Sequence, residues 1–180
     1  MKILLNADQI NATIEKMFRD IVADIGSESE LAVIGIRSRG EILAKRLTRK
    51  LETHFGREIP CGTLDITLYR DDLQIPRSGS QPTVRSTEIE FDVDNKFILL
   101  VDDVLHTGRS VRAAMDALTD LGRPRAVRLA VLIDRGQREL PIRADYVGLR
   151  VEAGATEMIK VYLVEEDGID QVIVEPMDDL

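Results

Sequence analysis

The sequence has little of what marks secreted, membrane-spanning or repetitive proteins. Among its 180 residues there is a single cysteine, Cys61, so no internal disulfide can form. No apolar run approaches the length of a membrane span, and the apolar stretch at residues 1–5 is too short for a signal peptide. Internal repeats and low-complexity tracts are missing as well. We therefore predict one globular domain over residues 1–180, located in the cytoplasm and not associated with a membrane.

The balance of charge also argues against one class of protein. With 24 lysine and arginine residues against 32 aspartate and glutamate residues, the formal net charge is −8. Such a chain is not expected to coat nucleic acid non-specifically, although it can still carry one basic face. Two common phosphate-binding patterns are absent, because the sequence has neither a Gly-Lys-Ser/Thr loop nor a GxGxxG fingerprint. Any phosphate site that the sequence indicates is therefore of another kind.

What the sequence does contain is a stretch in which an apolar run passes through two acids into a small-residue loop. Phe97–Val101 predicts a strand buried on both faces, as in a parallel sheet covered by helices. Asp102 and Asp103 follow at its carboxyl end, and Thr107–Ser110 leads into a helical pattern. The apolar face of that predicted helix consists of Val111, Ala114, Met115, Leu118 and Leu121. A loop before a helix offers an anion several N–H groups and the positive end of a dipole. The stretch therefore predicts a phosphate-binding site and, beside it, a pair of acids that binds either a diol or a metal ion.

A glycine-containing loop after a strand is a weak indication by itself, because such turns occur in most α/β proteins. In the simplest alternative, Asp102 and Asp103 are two solvated loop acids without a role. We favour the functional interpretation, because two adjacent charges at the end of an apolar strand are costly unless a cation or a pair of hydroxyl groups uses them.

A second unit of strand, loop and helix precedes this stretch. Leu31–Ile36 predicts another buried strand, Arg37–Gly40 a loop, and the apolar spacing from Ile42 to Leu51 a helix. The loop is either only a charged strand end or a site whose arginines and N–H groups bind a second anion. We favour the second interpretation, because both loops would lie at the edge where open α/β sheets bind ligands.

The remaining segments complete an α/β pattern. The spacing from Ile10 to Ile25 predicts an amphipathic helix that ends at Gly26. Residues 59–69 and 89–93 alternate as half-exposed strands do, and the unpatterned segment between them, about residues 70–87, predicts a mobile flap. Further predicted strands are residues 126–133, 146–147, 161–164 and 172–174.

These motifs together resemble a known family. The stretch from Ile98 to Ser110 is similar to the PRPP-binding signature of the type I phosphoribosyltransferases. Residues 64–73, 122–124 and 134–146 further resemble one subfamily, the bifunctional pyrimidine operon attenuators and uracil phosphoribosyltransferases. The resemblance covers nearly the whole chain. It implies the type I phosphoribosyltransferase fold: an α/β fold with a central, mostly parallel sheet flanked by helices, and a small hood formed by the 134–164 region with the N-terminal segment.

The resemblance also implies roles for individual residues. Asp102 and Asp103 match the acids that hold the ribose hydroxyls of PRPP, directly or through Mg²⁺. Ser38 and Arg39 match the pyrophosphate loop, in which family members often have a cis peptide bond. Arg70 matches the start of the loop that closes over PRPP, and we predict that it acts in catalysis with the two acids. Matches to the 5′-phosphate loop are Val104, Leu105, His106, Thr107, Gly108, Arg109 and Ser110, and matches to the base pocket are Arg135 and Ile159.

The implied reaction joins uracil to PRPP, giving UMP and pyrophosphate, with Mg²⁺ as the cofactor. The implied assembly is a homo-oligomer, a dimer or larger. Displacement of pyrophosphate from the anomeric carbon passes through a cationic sugar, so the protein must neutralise a highly charged leaving group and hold the base in line. Arg39, Arg70 and Mg²⁺ suit the first requirement.

Members of the subfamily also bind messenger RNA, here pyrimidine-operon leader RNA, on a basic face. Arg138 and Arg143 match two of its arginines, and Arg19 keeps a donor at a third position. Glu15 and Leu149, however, stand where RNA-binding relatives carry threonine and lysine, which weakens the implied contact. Two alternatives to a uracil phosphoribosyltransferase therefore stay open: a mainly RNA-binding, UMP-responsive regulator whose site senses nucleotides, and a phosphoribosyltransferase for another base.

Overall fold

The computed structural model describes residues 1–71 and 86–177. Its strands are β1 (Lys2–Leu5), β2 (Leu31–Ile36), β3 (Cys61–Leu64), β4 (Phe97–Leu105), β5 (Ala126–Asp134), β6 (Tyr146–Arg150), β7 (Glu157–Tyr162) and β8 (Gln171–Pro176). Its helices are α1 (Ala7–Ile25), α2 (Arg39–Phe55), α3 (Arg109–Leu121), α4 (Val164–Asp167) and a short 3-10 helix, Thr67–Tyr69. Within these described residues, no helix has the length and apolar character needed to cross a membrane.

The central sheet has five strands in the order β3-β2-β4-β5-β6, and every neighbouring pair is parallel. Alternate residues of β2 and β4 pack into two apolar clusters on opposite faces of this sheet. One cluster, which includes Val33 and Leu99, contains the buried faces of α1 and α2. The other, which includes Ile34 and Ile98, contains that of α3. Because both faces are covered, the strands are continuous apolar runs, as predicted.

The ends of α1 follow local sequence signals. The Asn6 side chain accepts a hydrogen bond from the Gln9 amide at 2.9 Å, and the Gln9 side chain accepts one from the Asn6 amide at 2.9 Å. This capping box satisfies amides that have no partner inside the helix. At the other end, Gly26 has a φ of 56° and its N–H donates to the Val22 carbonyl. The predicted helix and its glycine stop are confirmed.

The second sheet is small and antiparallel, with the order β1-β8-β7. It corrects the hood predicted from residues 134–164 and the N-terminal segment. β6, inside that range, pairs with β5 in the central sheet, whereas the middle strand of the small sheet, β8, lies beyond residue 164. Alternation identifies a short strand but does not identify its partner, so sequence spacing could not assign these strands to a sheet.

Of the two strands predicted on either side of the flap, the first is shorter than predicted and the second does not form. β3 ends at Leu64, because the Asp65 carboxylate accepts hydrogen bonds from the Thr67 amide and hydroxyl, at 2.9 and 2.6 Å, and turns the chain into the 3-10 helix. Leu68, predicted to be on an apolar face, is 79% exposed. Residues 89–93 form no strand, and a single bridge joins Thr63 to Glu88. Most of the predicted flap lies outside the described residues.

The strand that carries the two acids is longer than its apolar run suggested. β4 continues from Val101 to Leu105, where it still pairs with Asp134 of β5. Asp102 and Asp103 therefore lie within the strand and not after it. Charged residues usually signal a strand end, but the neighbouring strand continues the ladder of hydrogen bonds at this point.

Candidate active site

A cavity of about 270 Å³ opens at the carboxyl ends of β4 and β5. It is lined by Arg70, Asp102, Val104, Leu105, His106, Thr107, Gly108, Ser110, Val111, Arg135, Met158 and Ile159. β4 and the loop after it contribute half of this lining, and Met158 and Ile159 come from β7 of the small sheet. The cavity therefore lies where the edge of the central sheet meets the small sheet.

Most of the predicted site residues line this cavity, and four do not: Ser38, Arg39, Asp103 and Arg109. Two lining residues were not predicted as site residues. Val111 was predicted only as an apolar residue of the helix, and Met158 was not considered. Met158 precedes the predicted Ile159 on β7, so its only sequence signal is its position beside that residue.

The loop between β4 and α3 has the geometry of an anion site. Gly108 precedes the first residue of α3 and has a φ of 93°, a conformation that favours glycine. The Arg109 amide donates to the Thr107 hydroxyl at 3.3 Å, and Gly108, the N-cap residue, has no side chain that could cap the amides that follow. The first amides of a helix have no partner inside it, so they and the helix dipole are available to an anion.

A second loop, residues 135–142, holds the first one in place. The Leu105 carbonyl accepts from the Arg135 amide at 3.0 Å, and the Thr107 carbonyl accepts from the amides of Glu139 and Leu140, at 3.0 and 3.1 Å. The guanidinium of Arg138 donates to the His106 carbonyl at 2.8 Å. Three successive carbonyls from 105 to 107 are thereby fixed from outside the cavity.

Arg138, predicted to bind RNA, is thus engaged inside the protein. Besides the His106 carbonyl, its guanidinium donates to the Ile142 carbonyl at 2.8 Å and to an Asp134 carboxylate oxygen at 2.7 Å. A planar guanidinium with this many partners holds several chain segments in one geometry. The observed contacts of Arg138 are therefore those of a residue that orders the two loops.

The two acids differ in their surroundings. Asp102 is buried, and its carboxylate accepts a hydrogen bond from the Asp103 amide at 2.9 Å. Burial, followed by the charge of Asp103, raises the pKa of Asp102 well above its usual range, and the positive charge of Arg70 opposes the shift. Asp103 is half-buried, and its carboxylate accepts from the Val104 amide at 2.8 Å. An anionic pair in this setting calls for a cation or for hydroxyl donors.

A close approach of α2 encloses Asp102 from one side. A Cβ atom added to Gly40 would lie 2.6 Å from the Val101 carbonyl oxygen and 3.3 Å from an Asp102 carboxylate oxygen. Only glycine leaves room for the first turn of α2 to pack against β4 at this point. The pyrophosphate loop predicted at Ser38 and Arg39, which directly precedes Gly40, is therefore adjacent to the acids although it does not line the cavity.

The bond between Arg37 and Ser38 is a cis peptide bond, as the resemblance implies for this loop. Arg39 then begins α2, and its guanidinium donates to the Asp167 carboxylate at 2.7 Å and to the Ser38 hydroxyl at 3.0 Å. Its Nε is buried and has no hydrogen-bond partner among the described residues. Arg39 is thus held by α4, with one donor still to be satisfied.

Two further predicted residues, Arg70 and Arg109, differ in their relation to the cavity. Arg70 is an exposed residue that follows the 3-10 helix and lines the cavity. The Arg109 guanidinium points to other elements, donating to Glu139 at 2.6 Å and to Asp71 at 2.9 Å. The prediction that Arg109 binds substrate can therefore hold for its backbone, whereas its side chain is engaged elsewhere.

The end of the cavity that is predicted to bind the base is built around a buried arginine. Arg135 is 6% exposed, and its Nη2 donates to the Gln137 side chain at 3.3 Å and to the Gly154 carbonyl at 3.4 Å. Its Nε is buried without a partner among the described residues. Ile159, on the buried face of β7, gives the same end an apolar wall. The arrangement suits a flat, polar ring with carbonyl oxygens on its edge.

A second, open cleft lies between α1 and the region around β6. Its basic residues are Lys16, Arg128, Arg143 and Arg150, and its acidic residues are Asp20, Asp24 and Asp145. Of the residues predicted to bind RNA, Arg143 lines this cleft, while the exposed Arg19 does not. The cleft and the cavity are therefore separate surfaces.

Comparison with known proteins agrees with this geometry. The family model of the phosphoribosyl transferase domain matches residues 2–164. A protein of Thermus thermophilus named bifunctional protein PyrR is 52% identical over 170 residues, which cover 94% of this chain and 92% of the relative. A protein of Deinococcus deserti with the same name is 49% identical over 177 residues, 98% of this chain and 96% of the relative.

Solved structures show the same fold at low sequence identity. The hypoxanthine phosphoribosyltransferase of Trypanosoma cruzi superposes with a TM-score of 0.72 at 18% identity, covering 99% of this chain and 98% of that one. A hypoxanthine-guanine phosphoribosyltransferase of Bacillus anthracis does so with a TM-score of 0.69 at 17% identity, covering 98% of each chain. The predicted type I phosphoribosyltransferase fold is confirmed. The chain belongs to the phosphoribosyl transferase family and, within it, to the group of bifunctional PyrR proteins.

Proposed function

We propose that the protein transfers the phosphoribosyl group of PRPP to uracil, forming UMP and pyrophosphate. The observation that carries the proposal is the convergence of three kinds of group on one cavity: the open amino end of α3, the buried Asp102, and the arginines Arg70 and Arg135. A sugar phosphate needs the first two, and the leaving group and the base need the arginines.

The ribose phosphate would bind along β4 and the loop that follows it. The 5′-phosphate would accept hydrogen bonds from the amides between Leu105 and Ser110, which the 135–142 loop holds in position. Asp102 and Asp103 would accept hydrogen bonds from the ribose hydroxyls. Since the loop is already ordered by these contacts, little ordering is left to occur on binding, which favours affinity.

The pyrophosphate would leave toward Ser38 and Arg39, with Arg70 on the other side. Arg39 has a buried, unsatisfied Nε, and its contact with Asp167 fixes the guanidinium close to the acids. Positive groups aimed at a leaving anion stabilise the charge that develops as the bond to the anomeric carbon breaks. We propose that Arg39 binds the pyrophosphate and that Arg70 supports catalysis.

We propose Mg²⁺ as the cofactor. The described residues contain no group of three or more His, Cys, Asp or Glu side chains that could hold a metal ion. Two adjacent carboxylates fit Mg²⁺ nevertheless, because this ion keeps most of its waters and prefers substrate oxygens to a complete protein cage. Asp102 and Asp103 would hold it together with PRPP, and the ion would supply charge neutralisation of the pyrophosphate.

The base would occupy the end of the cavity formed by Arg135 and Ile159. The Arg135 guanidinium can donate to a uracil carbonyl oxygen, and the nearby Gly154 backbone lies at the same end. Uracil is planar with an apolar face, so Ile159 can pack against its ring. A buried donor left without its partner is costly, which makes such a site selective for a base that accepts this hydrogen bond.

Turnover with uracil, guanine and hypoxanthine, each with PRPP and Mg²⁺ in the same assay, tests the proposal. We expect UMP from uracil and little or no nucleotide from either purine. Turnover with a purine alone would keep the phosphoribosyl transfer and overturn the choice of base. No product from any of these bases would count against the enzymatic function.

A second candidate function is UMP-responsive binding of pyrimidine-operon leader RNA. The open cleft lined by Lys16, Arg128, Arg143 and Arg150 favours it, because phosphates are bound by such clusters. Glu15 is less repulsive than its sequence position suggested, since its carboxylate is paired with Lys50 at 2.7 Å. The relatives are named bifunctional proteins, which agrees with a second activity.

A filter-binding titration of leader RNA, with and without UMP, tests this second function. We expect binding that tightens when UMP is added, because a UMP-responsive regulator must couple the two sites. Binding should weaken in the Arg143→Ala variant, because the change removes a positive charge from the cleft. RNA binding that UMP does not change would remove the regulatory part of the proposal. The matched control is Arg49→Ala, which removes a charge from a pocket between α1 and α2, outside the cleft.

We also propose that the protein forms a homo-oligomer, a dimer or larger. Met115 and Leu121 on α3 are 47% and 48% exposed, although the sequence predicted them on the packed face of that helix. Met115 lines a surface groove together with Leu118, Pro124 and Val127. Exposed apolar residues of this kind often lie at contacts between protein chains. Light scattering after size exclusion should give a mass at least twice that of the 20.2 kDa chain.

A further inference from the structure

We propose that Arg112, on α3, is a positioning residue that holds Arg70 in the cavity. The inference rests on the proposed function, because it takes Arg70 as a catalytic group. Arg112 itself does not line the cavity, and it belongs to neither the phosphate loop nor the base pocket. Its contacts lie on both sides of Arg70 along the chain.

The geometry is that of a bracket. The Nη2 of Arg112 donates to the Tyr69 carbonyl at 2.9 Å and lies 3.5 Å from a carboxylate oxygen of Asp71. Tyr69 and Asp71 are the residues immediately before and after Arg70. One guanidinium therefore contacts both neighbours of the catalytic arginine, a task for which its planar fork of donors is suited.

Other contacts from α3 reinforce the bracket. The Arg109 guanidinium donates to the same Asp71 carboxylate at 2.9 Å, and the Tyr69 hydroxyl donates to Asp120 at 2.6 Å. Inside the segment itself, the 3-10 helix Thr67–Tyr69 is a single turn. So short a helix has little stability of its own, so its position depends on what it is attached to.

This attachment matters because Arg70 is an exposed residue that directly follows a single-turn helix, so the position of its backbone depends on the contacts of its two neighbours. The bracket ties its backbone to α3, the helix whose amino end forms the phosphate site. Arg70 and the proposed phosphate loop are thereby both attached to α3, so their relative position is fixed by one helix. Loss of the bracket would let the guanidinium of Arg70 sample positions away from the leaving group, and misplacement by an ångström is enough to slow a reaction strongly.

The competing explanation is that Arg112 only stabilises the surface of α3. Its Nη1 does pair with Asp116 at 2.8 Å, one turn further along the helix. Exposed pairs of this type contribute little to stability. The two explanations differ in what they predict for variants of Arg112 and of Asp116.

Steady-state kinetics of UMP formation test the proposal, using Arg112→Met, Arg112→Lys and, as the matched control, Asp116→Asn. We expect Arg112→Met to lower kcat about 10- to 100-fold, because the geometry of Arg70 is lost. The KM for uracil and the midpoint of thermal unfolding should change little. Arg112→Lys keeps the charge near Asp71 and should recover part of the loss. Asp116→Asn should stay within about twofold of the wild type.

A double-mutant cycle with Arg70→Ala shows through which residue Arg112 acts. If it acts through Arg70, Arg112→Met should have no more than about a twofold further effect once Arg70 is alanine. A decrease in the Arg70→Ala background as large as in the wild type overturns the proposal, and so does an unchanged kcat in Arg112→Met. Sensitive detection of radiolabelled nucleotide keeps the slow variants measurable.

The wild-type control separates this inference from the function on which it rests. If the wild type uses another base in place of uracil, the choice of uracil fails and the same cycle is measured with that base. If it turns over no base at all, Arg70 is not catalytic and both proposals fail. If Arg112→Met does not fold, the Arg112→Lys variant in the same cycle decides the question.

Discussion

The proposed ribose phosphate side and the proposed base side of the cavity are built in different ways. The first comes from one uninterrupted stretch, Asp102–Ser110, which runs from a strand through a loop into a helix. The second is assembled from Arg135, which follows β5 of the central sheet, the Gly154 carbonyl, and Ile159 of β7 in the small sheet. The comparison predicts that phosphate binding depends on local structure, whereas recognition of the base depends on how the small sheet packs against the central one.

Two solved structures that share this fold at 17–18% identity are named as hypoxanthine or hypoxanthine-guanine phosphoribosyltransferases. In this chain, the side that is assembled from distant segments can change its base contacts without any change in Asp102–Ser110. Variants on the two sides are therefore expected to affect different substrates, and the following predictions test that separation.

The largest effect is expected for Arg70→Ala. If Arg70 stabilises the charge that develops on the pyrophosphate, its removal should lower kcat by about 10²- to 10³-fold, the range typical of such groups. The residue is exposed, so the midpoint of thermal unfolding should hardly change. Kinetics with PRPP and uracil varied separately, together with a thermal melt, provide the measurement. An active variant would remove Arg70 from the mechanism.

A smaller effect, confined to the base side, is expected for Arg135→Met. The variant removes the donor proposed to bind uracil but keeps the length of the side chain. A hydrogen bond to a charged group contributes about 1.5–3 kcal/mol, so the KM for uracil should rise about 10- to 150-fold. The KM for PRPP should stay within about twofold. An equal rise in both constants would contradict the separation of the two sides.

The sequence predicted the local side well because its signals are local. A buried strand that passes into acids and then into a glycine loop before a helix could be identified from spacing alone, and the structure has Asp102, Thr107 and Gly108 lining one cavity. The end of α1 at Gly26 was also predicted from a local signal, the glycine itself. Even so, spacing misjudged the length of β4, because the pairing with β5 that extends it involves a distant segment.

The base side could not be predicted from spacing, because its contacts join residues far apart in the chain. Ile159 and Arg135 were named through the family resemblance, and neither their burial nor the role of the Gly154 carbonyl has a sequence signal. The same holds for Arg138, whose donors fix the phosphate loop. The family resemblance assigned Arg138 to RNA binding, whereas the hydrogen bonds of its guanidinium are made to groups within the protein.

An effect of a few fold on the phosphate side is expected for Gly108→Ala. The φ of 93° is strained for any residue with a Cβ, and the added atom would lie 3.3 Å from Ile142. A strain of about 1 kcal/mol should lower thermal stability, and a displaced loop should raise the KM for PRPP about threefold to tenfold. Gly56→Ala is the control, since it has a φ of 64° with nothing within 4 Å and lies at the far end of α2. It should lose stability but not activity. Activity lost equally in both variants would mean that strain alone is responsible.

The smallest effect is expected at Asp102. There, the charge that is proposed to bind the substrate should also lower the free energy of unfolding. Burial and the charge of Asp103 raise the pKa of Asp102, so the folded protein holds this proton more tightly than the unfolded chain does. Its contribution to the free energy of unfolding is therefore fully present below the ordinary pKa of aspartate and is lost as the pH rises through the raised value. Above that raised pKa, the charge on the buried Asp102 destabilises the fold.

Asp102→Asn keeps the shape of the side chain and removes the charge. Without PRPP or Mg²⁺, we expect the variant to melt a few degrees above the wild type at pH 8, since about 1 kcal/mol shifts the midpoint by roughly 2–4 °C in a chain of this size. The difference should shrink as the pH is lowered toward 4, while turnover with PRPP falls at every pH. A wild type that is as stable as the variant throughout would mean that Asp102 carries no charge penalty. In that case, the acids on the phosphate side would already be compensated before substrate binds, and the need for a cation there would have to come from PRPP alone.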